Sequence, residues 1–219
     1  MIYSSARKLA LSGWLKENGK NNAYNSPLKL QKFLFLYEMM SKAEGEKPDF
    51  LRLRGYKNGP VFSTVFGDYK NDRIKFDSEA EKAYRGKKQP INEDRAAVAA
   101  FIVETLTERE LSDLTHQFNI WKAQEARIMN HVPQVDLKES DYNETDRQLI
   151  LALASLYPPE AIKDDEIISI DQTSFVFSPE DVSKLDDTHY DTLWSLSQNE
   201  DLHNPVFVTI DEEGRLCVD

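Results

Sequence analysis

Cysteine occurs once in this chain, at Cys217, two residues from the end. A lone thiol excludes an internal disulfide framework and leaves no cysteine cluster for zinc; its expected place is a buried strand end. Histidine is nearly as sparse. His116, His131, His189 and His203 show neither H-x-x-x-H nor H-E-x-x-H spacing, so a metal site would need assembly from distant positions. With 8 glycines in 219 residues there is no P-loop and no G-x-G-x-x-G, and G-x-S-x-G is missing as well. Nucleotide-driven chemistry and a nucleophile elbow therefore have no signature here. The acids of 164–166 read as a solvated turn, with no complementary acid or base beside them. Long apolar runs are also missing: the strongest, residues 33–40, falls far short of the roughly 20 residues that span a bilayer. The N-terminus has a basic pair but no apolar h-region or small-residue cleavage site. The expectation is a soluble, cytoplasmic protein with no metal and no cofactor.

What is present is enough for a substantial core. Apolar residues make up 40% of the chain and aromatics 11%. The length suits one large domain, or a main domain with an appendage. The net charge of −11 is unevenly spread: residues 1–130 hold 22 Lys/Arg against 17 Asp/Glu, and residues 131–219 hold 5 against 21, a balance of −16. An acidic segment of this size repels phosphate backbones, which argues against a nucleic-acid binder. It favours a basic protein partner or mimicry of nucleic acid, or else it keeps a small lobe soluble.

Periodicity gives most elements. Leu9, Leu11, Trp14 and Leu15 predict a helix over 4–18. Ser26 as cap, Pro27 at the first helical position and the stripe Leu30, Phe33, Leu34, Tyr37 and Met40 predict a second helix, ending near Gly45 and buried on most of its circumference. Residues 49–56 alternate like a short strand. Asn58-Gly59 is a turn signal, Pro60 stops the strand, and Val61, Val65 and Tyr69 recur as on a short helix. Residues 72–78 read as a second strand and 79–89 as a charged, solvated excursion. Asn92 caps a long helix with the stripe Val98, Phe101 and Ile102; Thr107 and Glu110 form a capping box; residues 120–130 read as one final helix. The composition shift at 131–143 sets a boundary between a helical domain, 1–130, and an acidic α+β extension, 131–219. The extension contains a helix stopped by Pro158-Pro159, a hairpin within 166–177, a helix capped by Ser178, a short helix carrying Leu193 and Trp194, and a terminal hairpin around 211–214. The fold class is mainly α with a small β-hairpin, plus a small α+β C-terminal lobe.

One stretch, residues 56–70, sets Lys57, Asn58, Gly59 and Pro60 among Tyr56, Phe62, Phe66 and Tyr69, and invites either a ligand, a partner or a corner in the core. His116 stands near Trp121 at a helix end, where the helix dipole favours the imidazolium; packing there competes with contact to a partner. The order of 28–38 (LKLQKFLFLYE), 56–70 (YKNGPVFSTVFGDYK) and 111–124 (LSDLTHQFNIWKAQ) resembles the Panacea domain of SocA-like antitoxins and phage-associated GepA-like proteins. The similarity covers roughly residues 5–128. Phe66 stands where that family often has Tyr, and 131–219 lies outside the motifs. The resemblance implies a mostly helical, non-enzymatic antitoxin of a bacterial or phage pair that binds its toxin directly, with Lys57, Asn58, Tyr69, His116 and Trp121 as partner-binding candidates. A DNA-binding regulator of its own operon and an enzyme with a pocket joining His116, Tyr69 and an acid are the alternatives. The regulator would need a basic recognition helix, for which the helices of Lys29/Lys32 and Arg109 are the candidates.

Overall fold

A computed structural model describes residues 1–20, 23–132 and 134–218. The chain begins with helices α1 (Ala6–Asn18) and α2 (Pro27–Ala43), then a hairpin of β1 (Leu53–Tyr56) and β2 (Gly59–Phe62). Helices α3 (Ser63–Asn71), α4 (Arg73–Arg85), α5 (Glu93–Thr105) and α6 (Glu108–His116) follow, with the short α7 (Asn119–Lys122) and α8 (Glu125–Met129). Beyond them come β3 (Val135–Asp136), α9 (Glu144–Ser155), α10 (Pro159–Ile162), β4 (Glu166–Ile170), β5 (Thr173–Phe177), α11 (Pro179–Val182), α12 (Asp187–Ser197), β6 (Val206–Ile210) and β7 (Leu216–Val218). The fold is mainly helical with two small sheets, ordered β2-β1-β3 and β4-β5-β6-β7. Only the β5–β6 pairing is parallel among the described strands. No helix among the described residues is long and apolar enough to cross a membrane.

Helix α2 is the axis of the core. The Ser26 hydroxyl accepts from the Lys29 amide at 3.1 Å and Pro27 opens the first turn, so the helix starts where both signals place it. Thirteen of its seventeen residues are buried, because α5 and α9 lie against it along with the hairpin. The main apolar cluster joins α2 to Val135, Leu137, Ile150, Ile162 and Ile167, so both parts of the chain share one core. A smaller cluster of Phe175, Phe177, Leu193, Val206 and Val208 holds the four-stranded sheet to α12. Burial of a charged group inside this core demands partners, and Glu38 has them. The fully buried Glu38 carboxylate accepts from Arg7 Nε at 2.9 Å, Lys8 Nζ at 2.5 Å and the Asp49 amide at 2.9 Å, fastening α1 and the loop before β1 to α2.

Several expectations are corrected. Residues 72–78 are not a strand, and the solvated excursion expected over 79–89 is confined to its end, for α4 runs from Arg73 to Arg85, N-capped by Asp72, and only residues 86–88 beyond it are exposed and non-helical. Phe76, Ala80 and Tyr84 form its inward stripe at i, i+4 and i+8, while Ile74 is 86% exposed. The helix lies so close to α1 that a β-carbon on Gly13 would stand 2.3 Å from the Ala80 carbonyl oxygen. Pro60 does not end the strand. It sits within β2, an edge strand, where its missing amide hydrogen costs no ladder bond. The expected single helix over 120–130 is two short ones, α7 and α8, and the unpatterned 131–143 contains β3, which pairs with β1. Cys217 is exposed on β7 rather than buried.

Candidate functional site

The β1–β2 turn is held from three sides. Lys57 and Asn58 are exposed at its tip, and Tyr56 pairs with Gly59 across it. Gly59 has φ +98°, the left-handed region that glycine enters without strain. From α2, Gln31 Oε1 accepts from the Phe62 amide at 2.7 Å and Lys32 Nζ donates to the Asn58 carbonyl at 2.5 Å. From α6, the Ser112 hydroxyl donates to that same carbonyl at 3.3 Å. From α7, the Trp121 indole donates to the Tyr56 carbonyl at 3.1 Å. A β-carbon on Gly59 would meet Lys32 Nζ at 2.2 Å and Thr115 Oγ1 at 2.5 Å, so the closeness of these two side chains also requires glycine.

Helix α7 owes its position to the later part of the chain. The buried Asp146 of α9 accepts from the amides of Asn119 and, at 3.0 Å, Ile120, so a side chain from the acidic segment caps the helix that carries Trp121. Asn204 Nδ2 likewise donates to Glu110 Oε2 at 3.0 Å, next to the Thr107–Glu110 capping box of α6.

Two clefts flank the tip. One, of about 440 Å³, is lined by Lys57, Asn58, Asp113, His116, Trp121 and Glu125 among others; the second, about 500 Å³, by Leu28, Gln31, Lys32, Tyr56, Val61 and Phe66 among others. The His116 and Trp121 rings stack with centroids 3.9 Å apart, and His116 Nε2 is buried with no hydrogen-bond partner among the described residues. Burial and the nearby Lys32 ammonium lower the His116 pKa, against Asp113, the Lys57 backbone and Glu125. The imidazolium expected at the helix end is thus disfavoured: desolvation and a second cation outweigh the dipole. Lys32 itself, 1% exposed, is pushed down to about 7 by burial, with a backbone carbonyl rather than a carboxylate as its hydrogen-bond partner.

The structure therefore brings Lys57, Asn58, His116 and Trp121 together and leaves Tyr69 elsewhere. Tyr69 is buried on α3, its hydroxyl donating to the carbonyls of Tyr24 and Asn25 at 3.0 Å and its ring under the Arg73 guanidinium at 4.0 Å. Tyr69 is not among the residues that line the His116 cleft, where His116 meets Asp113 and Glu125 without the phenol. Gln31, absent from the candidates read in the sequence, and Lys32, read there only as part of a possible recognition helix, are the groups of α2 that position the tip. Their signal was a lysine and a glutamine in the middle of a helix apolar all round. Among the described residues no group of His, Cys, Asp and Glu is arranged to hold a metal ion.

Comparisons with protein-family models, curated proteins and solved structures give no match to this chain.

Proposed function

We propose that this chain is an antitoxin that neutralises a partner protein by direct binding, with the β1–β2 tip and its two clefts as a contact surface. The observation that supports the reading is convergence. The three stretches that carry the Panacea resemblance, 28–38, 56–70 and 111–124, supply Lys32, the Tyr56–Phe62 hairpin and Trp121 to one place. A turn fixed from three sides presents Lys57 and Asn58 with little ordering left to do on binding, which favours affinity.

Co-expression of the adjacent reading frame in a growth assay, with and without this chain, tests the proposal. The expected outcome is arrest by the neighbour alone and rescue by this protein, with rescue lost in a Lys57→Glu/Asn58→Asp double variant whose far-ultraviolet circular dichroism matches wild type. A neighbour that is harmless by itself, or rescue untouched by the tip variant, overturns the function or the surface respectively.

A further inference from the structure

Helix α12 shows an outward face that stays exposed among the described residues. Its inner side is anchored by Leu193, fully buried in the small apolar cluster, and by a capping box in which Asp186 Oδ1 accepts from the His189 amide while His189 Nδ1 accepts from the Asp186 amide. His189 Nε2 also lies 2.8 Å from the Gly214 carbonyl, fastening the helix to the β6–β7 turn. On the outer side Tyr190 is 45% exposed and Trp194 59% exposed. They are four residues apart and so lie one above the other on one face, and Asp187 and Asp191, with the same spacing, run beside them. The other tryptophans, Trp14 and Trp121, are buried.

We propose that this face of α12 is a docking surface for a protein that offers a basic rim around an apolar recess. Tyr and Trp on a rigid helix are the residue types that carry binding energy when they enter a partner's pocket. The flanking acids, and the −16 balance of residues 131–219, select the sign of the rim. The lobe's cations do little to offset it locally: Lys184 is paired with Glu180 and Asp181, and Arg215 with Asp211 and Glu213. The same charge repels nucleic acid and anionic lipid, and a second copy docked through the same face would set Asp187 and Asp191 against their own kind. This surface is separate from the hairpin tip and holds whether or not its partner is a toxin.

The test uses the intact chain. Trp194 fluorescence is titrated with an amphipathic lysine–leucine helical peptide, with its glutamate–leucine counterpart, and with the product of the adjacent reading frame. The lysine peptide is expected to shift the emission and protect Trp194 from acrylamide, while the glutamate peptide does neither. Anisotropy of the labelled lysine peptide should show binding weakened about 30-fold by Trp194→Ala or Tyr190→Ala. Asp187→Asn/Asp191→Asn should slow association and flatten its salt dependence, with circular dichroism unchanged in every variant. Unaltered quenching on adding the lysine peptide, equal affinity in wild type and Tyr190→Ala, or wild-type dimerisation that Trp194→Ala abolishes would each overturn the proposal. If the lysine peptide binds as expected but the neighbour's product does not bind wild type, the antitoxin reading fails and the docking surface stands.

Discussion

Lys32 and Gly59 are the residues on which the tip depends. Gly59→Ala puts a methyl group against Lys32 Nζ and Thr115 Oγ1 at a positive φ, so a loss of about 1–3 kcal/mol in unfolding free energy is expected, read from urea denaturation. The Lys32 ammonium, pushed down to about 7 by burial, gives a signed pH dependence. Between about pH 7 and its ordinary value of 10.5 only the unfolded chain holds the proton, so the Lys32 contribution grows as pH rises and is lost as pH falls through about 7. Glu104 acts in the opposite sense. Burial, opposed by the Lys20 amide and the Lys20 and Lys29 charges, pushes its carboxyl up to about 8, so its contribution is present below 4.5 and lost as pH rises through about 8. Denaturation midpoints across pH 5–10 should therefore lose their rise above pH 7 in Lys32→Met and their fall below pH 8 in Glu104→Gln. Midpoints that keep the wild-type profile in either variant would show that the group titrates normally. Neither residue stood out in the sequence as chemistry, because a titratable group in a helix signals its role only once the neighbouring elements are known to cover it.

At the scale of elements, caps and stripes transferred to the structure where they were local. Ser26-Pro27, Asn92, the Thr107–Glu110 box and Ser178 begin helices where they stand. The hairpin's second strand is not legible locally because Pro60 reads as a stop, and only its position at a sheet edge permits it in β2. Helix α4 is hidden in the sequence because Ile74 and Phe76 alternate like a strand, which separates Phe76 from Ala80 and Tyr84, the rest of its inward stripe. A pair of substitutions separates the two registers. In a strand Ile74 and Phe76 would share a face; in α4 Phe76 is buried and Ile74 is 86% exposed. Phe76→Ala should cost about 3–5 kcal/mol and Ile74→Ala almost nothing, measured by thermal or urea unfolding. His116 and Trp121 were legible as a pair; that their stack also holds Tyr56 and borders Lys32 was not, because it depends on the hairpin and α2, both distant in sequence.

For the whole molecule, the two electrostatic halves do not correspond to two separate cores. Ile150 is fully buried against the main cluster, β3 pairs with β1, and Asp146 caps α7. Removing residues 131–219 would therefore bare part of α2 and release the helix that carries Trp121. A chain ending at residue 130 is expected to show no cooperative unfolding transition and to bind a hydrophobic dye, whereas neutralising surface acids such as Asp187 and Asp191 should leave the transition in place. The role of the acidic half in binding is best tested through its charges, by the salt dependence of association, rather than by deletion.

The sharing of α2 between both halves also bears on the order in which the chain is made. Residues 27–43 leave the ribosome about a hundred residues ahead of α9, which at 5–20 residues per second is a delay of roughly 5–20 s. During that interval the flank of α2 that Ile150 will cover is bare apolar surface on a tethered, unfinished chain. The nascent protein thus offers holdase chaperones a binding site that disappears when its own last third arrives, so its yield in cells should depend on chaperone supply more than its finished stability suggests.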